Sequence, residues 1–200
     1  MEGDKTWDFL TPGIPDDNFW RGDIPITKEE YRTLALSRLR LKRDHRLLDV
    51  GAGTGTISVE AGVLLKNGMV YAVEKEERAV ELIRKNVQSF NLNNVEIIYG
   101  SAPGALAGLN EVDRVFVGGS GGERDGIIKR CYQLLCREGI IVLNCILLES
   151  VSAYLELLKE VGFVDIELIS AGVARGKTLG TQTMLEPLNP VFIISGRKGE

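Results

Sequence analysis

Residues 46–58, RLLDVGAGTGTIS, form an apolar strand pattern that runs into three alternating glycines and then a helix start. Glycines at positions 51, 53 and 55 let a ligand reach the backbone at the carboxyl edge of a sheet, where open α/β folds bind their ligands. The third glycine of the dinucleotide pattern G-x-G-x-x-G would fall at Thr56, so that pyrophosphate pattern is not met. The stretch predicts a ligand-binding strand–loop–helix unit, and a tight turn without a ligand is the alternative.

Strand and helix patterns alternate along the rest of the chain. The segment 1–26 is irregular, and a capping box formed by Thr27 and Glu30 predicts a helix over 28–39. Apolar runs predict strands, in chain order, at 46–50, 69–74, 95–99, 112–117, 139–145, 163–170 and 191–196. Helical periodicity predicts helices from about 56 and over 76–90, 124–135 and 149–161.

This alternation indicates the fold class. Nearly continuous apolar strands separated by helices are typical of a parallel sheet covered on both faces. No helix separates the last two predicted strands, so one of them is expected to be antiparallel. Since the sequence shows no internal repeat and no low-complexity linker, residues 1–200 are predicted to form a single α/β domain with a doubly wound, mostly parallel sheet.

Composition limits the partners and the compartment. A net charge of −4 offers no general attraction to nucleic acid, and no apolar run approaches the roughly 20 residues of a membrane span. No basic region followed by an apolar stretch opens the chain, so no signal peptide is predicted. Cys131, Cys136 and Cys145 form no C-x-x-C pair, so reduced thiols of a cytoplasmic protein without a metal site are expected. The lone His45 is expected on the surface.

Two further features favour a nucleoside-containing ligand. Glu74 ends the second strand, 23 residues after Gly51, where a carboxylate can accept hydrogen bonds from both hydroxyls of a ribose. A solvated strand-end glutamate in the run EKEE is the alternative. Ser101 and Ala102 follow the third strand, where small residues leave room for an adenine edge beside the backbone.

The motifs DVGAGTGTIS, YAVE and YGSAP resemble those of the class I S-adenosylmethionine-dependent methyltransferases. The resemblance implies a Rossmann-like, seven-stranded sheet of order 3-2-1-4-5-7-6, with the last strand antiparallel, and S-adenosyl-L-methionine as cofactor. The cofactor-binding residues it implies are Thr27, Gly51, Ala52, Gly53, Thr54, Gly55, Glu74, Ser101 and Ala102.

A second glycine-rich stretch, VFVGGSGGE at 115–123, narrows the resemblance. It occupies the end of the fourth strand, where many amino methyltransferases carry D/N-P-P-Y/F, and that motif is absent. Together with GIPDDNF, PITKEE, GSAP, NCILLE and NPV, the stretch closely resembles the decarboxylating cobalt-precorrin methyltransferases. This family methylates carbon 15 of a corrin precursor (cobalt-precorrin-6B type) and removes the carboxyl of the ring C acetate in anaerobic cobalamin biosynthesis. The resemblance also implies a cytoplasmic homotetramer whose only metal is the cobalt of its substrate.

The bare backbone of Gly118, Gly119, Ser120, Gly121 and Gly122 is predicted to be a wall against which a flat macrocycle lies. Bulky side chains there would hold the reacting carbon away from the methyl donor, and exposed amides can bind a carboxylate. A glycine-rich turn that leads into the next helix is the alternative.

Cations are expected to face a substrate that carries many carboxylates. The candidates are Arg124, directly after the glycine stretch, and Arg175 and Lys177, inside a connection of roughly 20 residues between the last two strands. Solvated surface charges are the alternative for each, and no catalytic acid, base or nucleophile is predicted. Two other functions stay open on the sequence alone: another class I methyltransferase, acting on tRNA or isoaspartyl protein, and a non-catalytic nucleotide-binding module.

Overall fold

The computed structural model describes residues 5–199, in which a seven-stranded sheet carries helices on both faces. Within that range the helices are α1 (Glu29–Leu39), α2 (Thr56–Leu64), α3 (Glu77–Ser89), α4 (Arg124–Leu134) and α5 (Leu148–Val161). The strands are β1 (Arg46–Val50), β2 (Met69–Glu74), β3 (Val95–Tyr99), β4 (Val112–Val117), β5 (Leu135–Cys145), β6 (Phe163–Ala171), β7 (Ala174–Leu179), β8 (Gln182–Pro187) and β9 (Val191–Lys198).

The strand order of the large sheet is β3-β2-β1-β4-β5-β9-β6. β9 runs antiparallel to both of its neighbours, and the other pairs are parallel. This confirms the predicted fold class and the predicted antiparallel last strand. Side chains alternate across β4, so Val115 and Val117 pack beneath α4 and α5, whereas Phe116 packs beneath α1 and α2.

The start of α1 differs from the prediction. The N-cap residue is Lys28, whose side chain forms no capping hydrogen bond, so the capping box on Thr27 is wrong. The carboxylate of Asp16 replaces it, because its Oδ1 accepts the backbone N–H of Glu29 at 2.9 Å. The irregular N-terminal segment thus folds back onto the start of α1 and accepts the backbone N–H of Glu29. The sequence pattern predicted a local side chain as the partner of the N–H groups at this helix start.

His45 is buried rather than exposed, with 7% of its surface accessible. Its Nδ1 accepts the backbone N–H of Lys42 at 3.2 Å. Burial lowers the pKa of the imidazole, and the positive charge of Arg114 adds to that effect. The expectation of a surface histidine was wrong because a local turn folds this side chain inward.

The long connection predicted between the last two strands contains a hairpin. β7 and β8 pair antiparallel and form a two-stranded sheet of their own. Gly180, at φ 62°, opens the two-residue turn between them, which suits the primed turns of tight hairpins. Every residue of β8 is exposed. An isolated two-stranded hairpin is marginally stable in water, so this one requires further contacts.

Within residues 5–199 no helix is both long enough and apolar enough to cross a membrane.

Candidate functional site

Two cavities lie at the carboxyl edge of the sheet and share Gly51 as a lining residue. The larger has a volume of about 560 Å³ and the smaller one of about 180 Å³. The predicted residues that line the larger cavity are Thr27, Gly51, Ala52, Gly53, Thr54 and Gly118. Those that line the smaller cavity are Gly51, Glu74, Ser101, Ala102, Gly119, Ser120 and Gly121. The structure therefore brings most of the predicted cofactor and glycine-stretch residues to one edge.

The loops after β1 and β4 contact each other backbone to backbone. A Cβ added to Gly51 would lie 2.7 Å from the carbonyl oxygen of Gly119, and one added to Gly118 would lie 3.0 Å from the carbonyl oxygen of Gly51. A Cβ added to Gly119 would meet no described atom within 4 Å. The protein's own backbone therefore excludes side chains at Gly51 and Gly118, whereas the space beside Gly119 is left open to a ligand.

The glycine stretch at 118–122 consequently divides into three parts. Gly118 is bare because the first glycine loop packs against it. Gly121 and Gly122 have φ values of 54° and 95°, so a left-handed turn before α4 accounts for them, as the alternative interpretation states. Neither loop packing nor a left-handed turn explains why Gly119 and Ser120 are small residues. For these two residues, contact with the substrate stays a prediction.

Glu74 ends β2 as a buried carboxylate, 7% exposed. Its Oε2 accepts the backbone N–H of Gly53 at 2.8 Å, and its Oε1 accepts those of Lys75 and Glu76 at 2.8 and 2.9 Å. The solvated-glutamate alternative is therefore wrong. Each carboxylate oxygen has more than one lone pair. Glu74 can therefore hold the glycine loop and still accept a hydrogen bond from a hydroxyl of a ligand in the smaller cavity.

Asp49, on β1 directly before the glycine loop, is a functional candidate that the sequence analysis missed. It is fully buried, Ser58 donates a hydrogen bond to its Oδ2, and its Oδ1 has no partner among the described residues. Burial raises the pKa of this carboxyl to about 7, and the nearby Glu74 carboxylate adds to the rise. A charged residue inside the apolar run RLLDV was the signal available in the sequence.

Asn144, at the end of β5, is a second missed residue. Its Oδ1 is buried without a partner among residues 5–199, and the side chain lines the larger cavity beside Asp49 and Phe116. The sheet register places these three side chains on one face of adjacent strands. Two residues that line the larger cavity therefore each carry a buried acceptor oxygen without a partner among the described residues, which suits a ligand group that donates hydrogen bonds.

Arg124 lies at the start of α4 and lines neither cavity. Its guanidinium carbon is 5.7 Å from the centre of the Tyr154 ring, and its Nε is 3.5 Å from Asp125 Oδ1. Burial raises the pKa of the Tyr154 hydroxyl, and the neighbouring Ser120, which lines the smaller cavity, partly offsets that rise. Arg124 is thus placed behind the glycine stretch, two side chains away from the open space.

The hairpin cations have carboxylate partners and also lie outside both cavities. Lys177 Nζ is 2.8 Å from Glu186 Oε1 on the opposite strand. Arg175 forms ion pairs with Glu30 and Asp16.

Gly55 and Gly122 also line neither cavity, and a Cβ on Gly55 would lie 3.0 Å from Ile83 of α3. For Gly55, helix packing is therefore sufficient reason for the missing side chain.

Among residues 5–199, no group of three or more histidine, cysteine, aspartate and glutamate side chains is arranged to hold a metal ion.

The sheet order, the glycine loop after β1 and the acidic end of β2 define a class I methyltransferase fold. The chain belongs to the precorrin methyltransferase family, because the family model described as "Precorrin methyltransferase domain" matches residues 18–198. This family membership makes the protein a methyltransferase and decides against a non-catalytic module.

The chain is similar to proteins of named activity over nearly its whole length. The probable cobalt-precorrin-6B C(15)-methyltransferase (decarboxylating) of Saccharolobus solfataricus is 44% identical over 196 residues, 96% of this chain and 98% of that protein. The cobalt-precorrin-6B C(15)-methyltransferase (decarboxylating) of Salmonella typhimurium is 37% identical over 188 residues, which cover 94% of this chain and 97% of that protein. A crystal structure of precorrin-6y C5,15-methyltransferase from Geobacter metallireducens superimposes with a TM-score of 0.89 at 39% identity, covering 94% of this chain and 99% of that one.

Proposed function

We propose that this protein transfers a methyl group from S-adenosyl-L-methionine to carbon 15 of a cobalt-precorrin-6B type corrinoid, with loss of the ring C acetate carboxyl as carbon dioxide. The names of the similar proteins support this substrate. The observation that carries the proposal is the junction of the two cavities at Gly51 and Gly119, where the backbone is bare and Gly119 faces open space. A rigid macrocycle edge can approach such a surface within van der Waals distance.

The two cavities fit the proposed cofactor. Glu74, beside Ser101 and Ala102, provides the carboxylate for a ribose in the smaller cavity. Asp49 provides a buried acceptor without a partner for an ammonium group in the larger one. When bound, S-adenosyl-L-methionine supplies an electrophilic methyl group on a sulfonium.

The protein's contribution is alignment, exclusion of water and placement of charge. Methyl transfer from a sulfonium requires that the reacting atoms be held in line at a separation of roughly 3 Å. A strong acid or base is less important for this reaction. The contact between Gly51 and Gly118 fixes the two loops relative to each other, so the floor of the site is rigid. Decarboxylation leaves an electron pair that the conjugated corrinoid system can accept, and a proton then completes the step.

Product masses test the proposal. Purified protein is incubated with the cobalt-precorrin-6B pool and S-adenosyl-L-methionine, and the corrinoids are analysed by mass spectrometry. We expect a product that has gained one methylene and lost carbon dioxide. Tight binding of S-adenosylhomocysteine without any change in the corrinoid would contradict the proposed substrate.

Cofactor affinity should depend on pH through Asp49. Burial raises the pKa of its carboxyl to about 7 in the ligand-free protein, so below that pH the group is largely protonated. An ammonium ligand requires the carboxylate, so binding must release the proton and the affinity falls as the pH drops, by at most about tenfold per pH unit. Calorimetry with S-adenosylhomocysteine between about pH 5.5 and 7 measures this, and Asp49→Asn should bind weakly with a flat profile. An equally steep profile in Asp49→Asn would exclude Asp49 as the titrating group.

The proposal includes a cytoplasmic homotetramer that binds neither nucleic acid nor a membrane. The three cysteines are free, which suits a reducing compartment. The hairpin supports assembly, because it exposes large apolar side chains although a lone hairpin is marginally stable: Leu179 at 55%, Met184 at 50% and Leu185 at 68%.

A charge on the hairpin should therefore change the oligomeric state. We expect Leu185→Glu to convert a four-subunit species into smaller ones, since a buried unpaired carboxylate destabilises an apolar interface. Sizing chromatography with light scattering measures the mass. Leu10→Glu, a leucine that is 84% exposed outside the hairpin, is the matched control. A tetramer that persists in Leu185→Glu, or a wild-type monomer, would contradict assembly through the hairpin.

A further inference from the structure

Two segments of the chain outside the large sheet line the larger cavity. The first, residues 25–28, is called the strap and precedes α1. The second, residues 187–189, is called the hairpin base and connects β8 to β9. Neither segment belongs to the large sheet, and side chains form the hydrogen bonds that join the hairpin and its base to α1.

The strap is held by a buried arginine. Arg32 of α1 is fully buried, and its Nε donates to Glu60 Oε2 of α2 at 2.6 Å. Its Nη1 donates to the backbone carbonyl of Thr27 at 2.6 Å and to Asp16 Oδ1 at 3.3 Å. A buried guanidinium with these partners has a single favourable orientation, so Thr27 and Asp16 are fixed to the helices.

Arg175 attaches the hairpin to the same cluster. Its Nε and Nη2 donate to the two carboxylate oxygens of Glu30, both at 2.7 Å, and Nη2 also donates to Asp16 Oδ2 at 3.0 Å. The Glu30 carboxylate accordingly has a pKa below its usual range, chiefly through the hydrogen bond from Arg175. A planar fork on one carboxylate plus a second acid defines the position of β7 against α1.

A second, uncharged contact joins the same two bodies. The Tyr31 hydroxyl of α1 donates to the backbone carbonyl of Asn189 in the hairpin base at 2.9 Å. Tyr31 itself lines the larger cavity. Charge pairs at Arg175 and a hydrogen bond at Tyr31 thus hold the hairpin and its base against α1, the helix that follows the strap.

We infer that Arg175 is a positioning residue: through Glu30 and Asp16 it holds the hairpin against the strap and so sets the width of the larger cavity. This role replaces the predicted substrate anchor in our proposal, because its Nε and Nη2 are already directed at two protein acids. A change in the position of the hairpin, for example through a subunit contact, thereby changes the position of Thr27. Only the affinity arm of the test below rests on the proposed function.

Hydrogen exchange in the ligand-free protein tests the link directly. The backbone N–H of Glu29 donates to Asp16, so peptides that cover residues 24–31 report on the strap. We expect faster exchange there in Arg175→Ala and in Glu30→Ala, and an intermediate rate in Arg175→Lys, whose ammonium cannot form the fork. Arg197→Ala is the matched control: Arg197 also pairs with two acids, Asp165 and Glu138, and is similarly exposed, but lines neither cavity.

Affinity for S-adenosylhomocysteine gives a second readout. We expect Arg175→Ala to weaken it about fivefold and Glu30→Ala to weaken it less, because Arg175 then keeps its pair with Asp16, and the double variant to be no weaker than Arg175→Ala. Tyr31→Phe, which leaves every charge in place, should weaken it in the same direction. Melting temperatures near that of the wild type exclude global unfolding as the cause.

Two outcomes would overturn the inference. The first is unchanged exchange over residues 24–31 in a folded Arg175→Ala. The second is a raised corrinoid KM in Arg175→Ala alone, with normal cofactor affinity and no effect of Glu30→Ala, which is the behaviour of a substrate anchor. Faster exchange in a protein that never binds S-adenosylhomocysteine would instead retain the positioning role and refute the proposed cofactor.

Discussion

Replacing Gly119 with valine should abolish methyl transfer to the corrinoid, with a loss of about 100-fold or more, while cofactor affinity stays near normal. The backbone at Gly119 is not left-handed, and a Cβ there meets no described atom within 4 Å, so the protein can accept the side chain. The valine methyls would occupy the space in which the reacting edge of the macrocycle must lie. A displacement of about 1 Å from the in-line geometry is sufficient for a loss of about this size.

Gly108→Val is the matched control for this experiment. Gly108 also has no described atom within 4 Å of an added Cβ, and it lines neither cavity. Turnover with the corrinoid, affinity for S-adenosylhomocysteine and the melting temperature are measured for both variants. A folded Gly119→Val enzyme with wild-type turnover would show that the substrate does not approach this part of the backbone.

Replacing Glu74 with alanine should weaken cofactor binding about ten- to a hundredfold, since a charge-assisted hydrogen bond contributes about 1.5–3 kcal/mol. Part of this loss would come from the loop rather than from the ligand, because Glu74 also accepts the N–H of Gly53. Calorimetry with S-adenosylhomocysteine and with its 2′-deoxy analogue separates the two contributions. The wild type should prefer the hydroxylated ligand, and Glu74→Ala should lose that preference.

Glu76→Ala serves as the control, because Glu76 is an exposed glutamate of the same run and lines neither cavity. It should bind both ligands as the wild type does. Equal affinity of the wild type for the two ligands would mean that Glu74 acts only on the loop. Tight binding of NAD by the unmodified protein would contradict the assigned cofactor altogether.

Much of the fold was predictable from local patterns. The bounds of β1 to β4 coincide with the predicted apolar runs, because each run alternates or continues over a length that a buried strand requires. The hairpin was missed, although Gly180 and Thr181 between two extended runs are a tight-turn signal. Its exposed strands lack the apolar continuity by which the other strands were recognised.

Helix α1 shows where local chemistry misleads. Thr27 and Glu30 satisfy the capping-box pattern, yet Asp16 caps the helix and Glu30 pairs with Arg175, 145 residues away. Both partners come from segments that are distant in the chain. A pattern of four residues cannot anticipate competition from a carboxylate or a guanidinium that only folding brings near.

The sequence by itself determined the order along the chain of the helices and of the seven strands of the large sheet, the sheet edge at which the two cavities lie, and the carboxylate at Glu74, because these depend on residue type and on short-range periodicity. Only the tertiary structure decided which glycine is free. Gly51, Gly118 and Gly119 look alike in the chain, but the backbone of Gly119 fills the space beside Gly51 and the backbone of Gly51 fills the space beside Gly118, whereas the space beside Gly119 itself is open. The unpaired oxygen of Asp49 and the paired guanidinium of Arg175 were decided in the same way, since whether a group is satisfied depends on atoms contributed by distant segments.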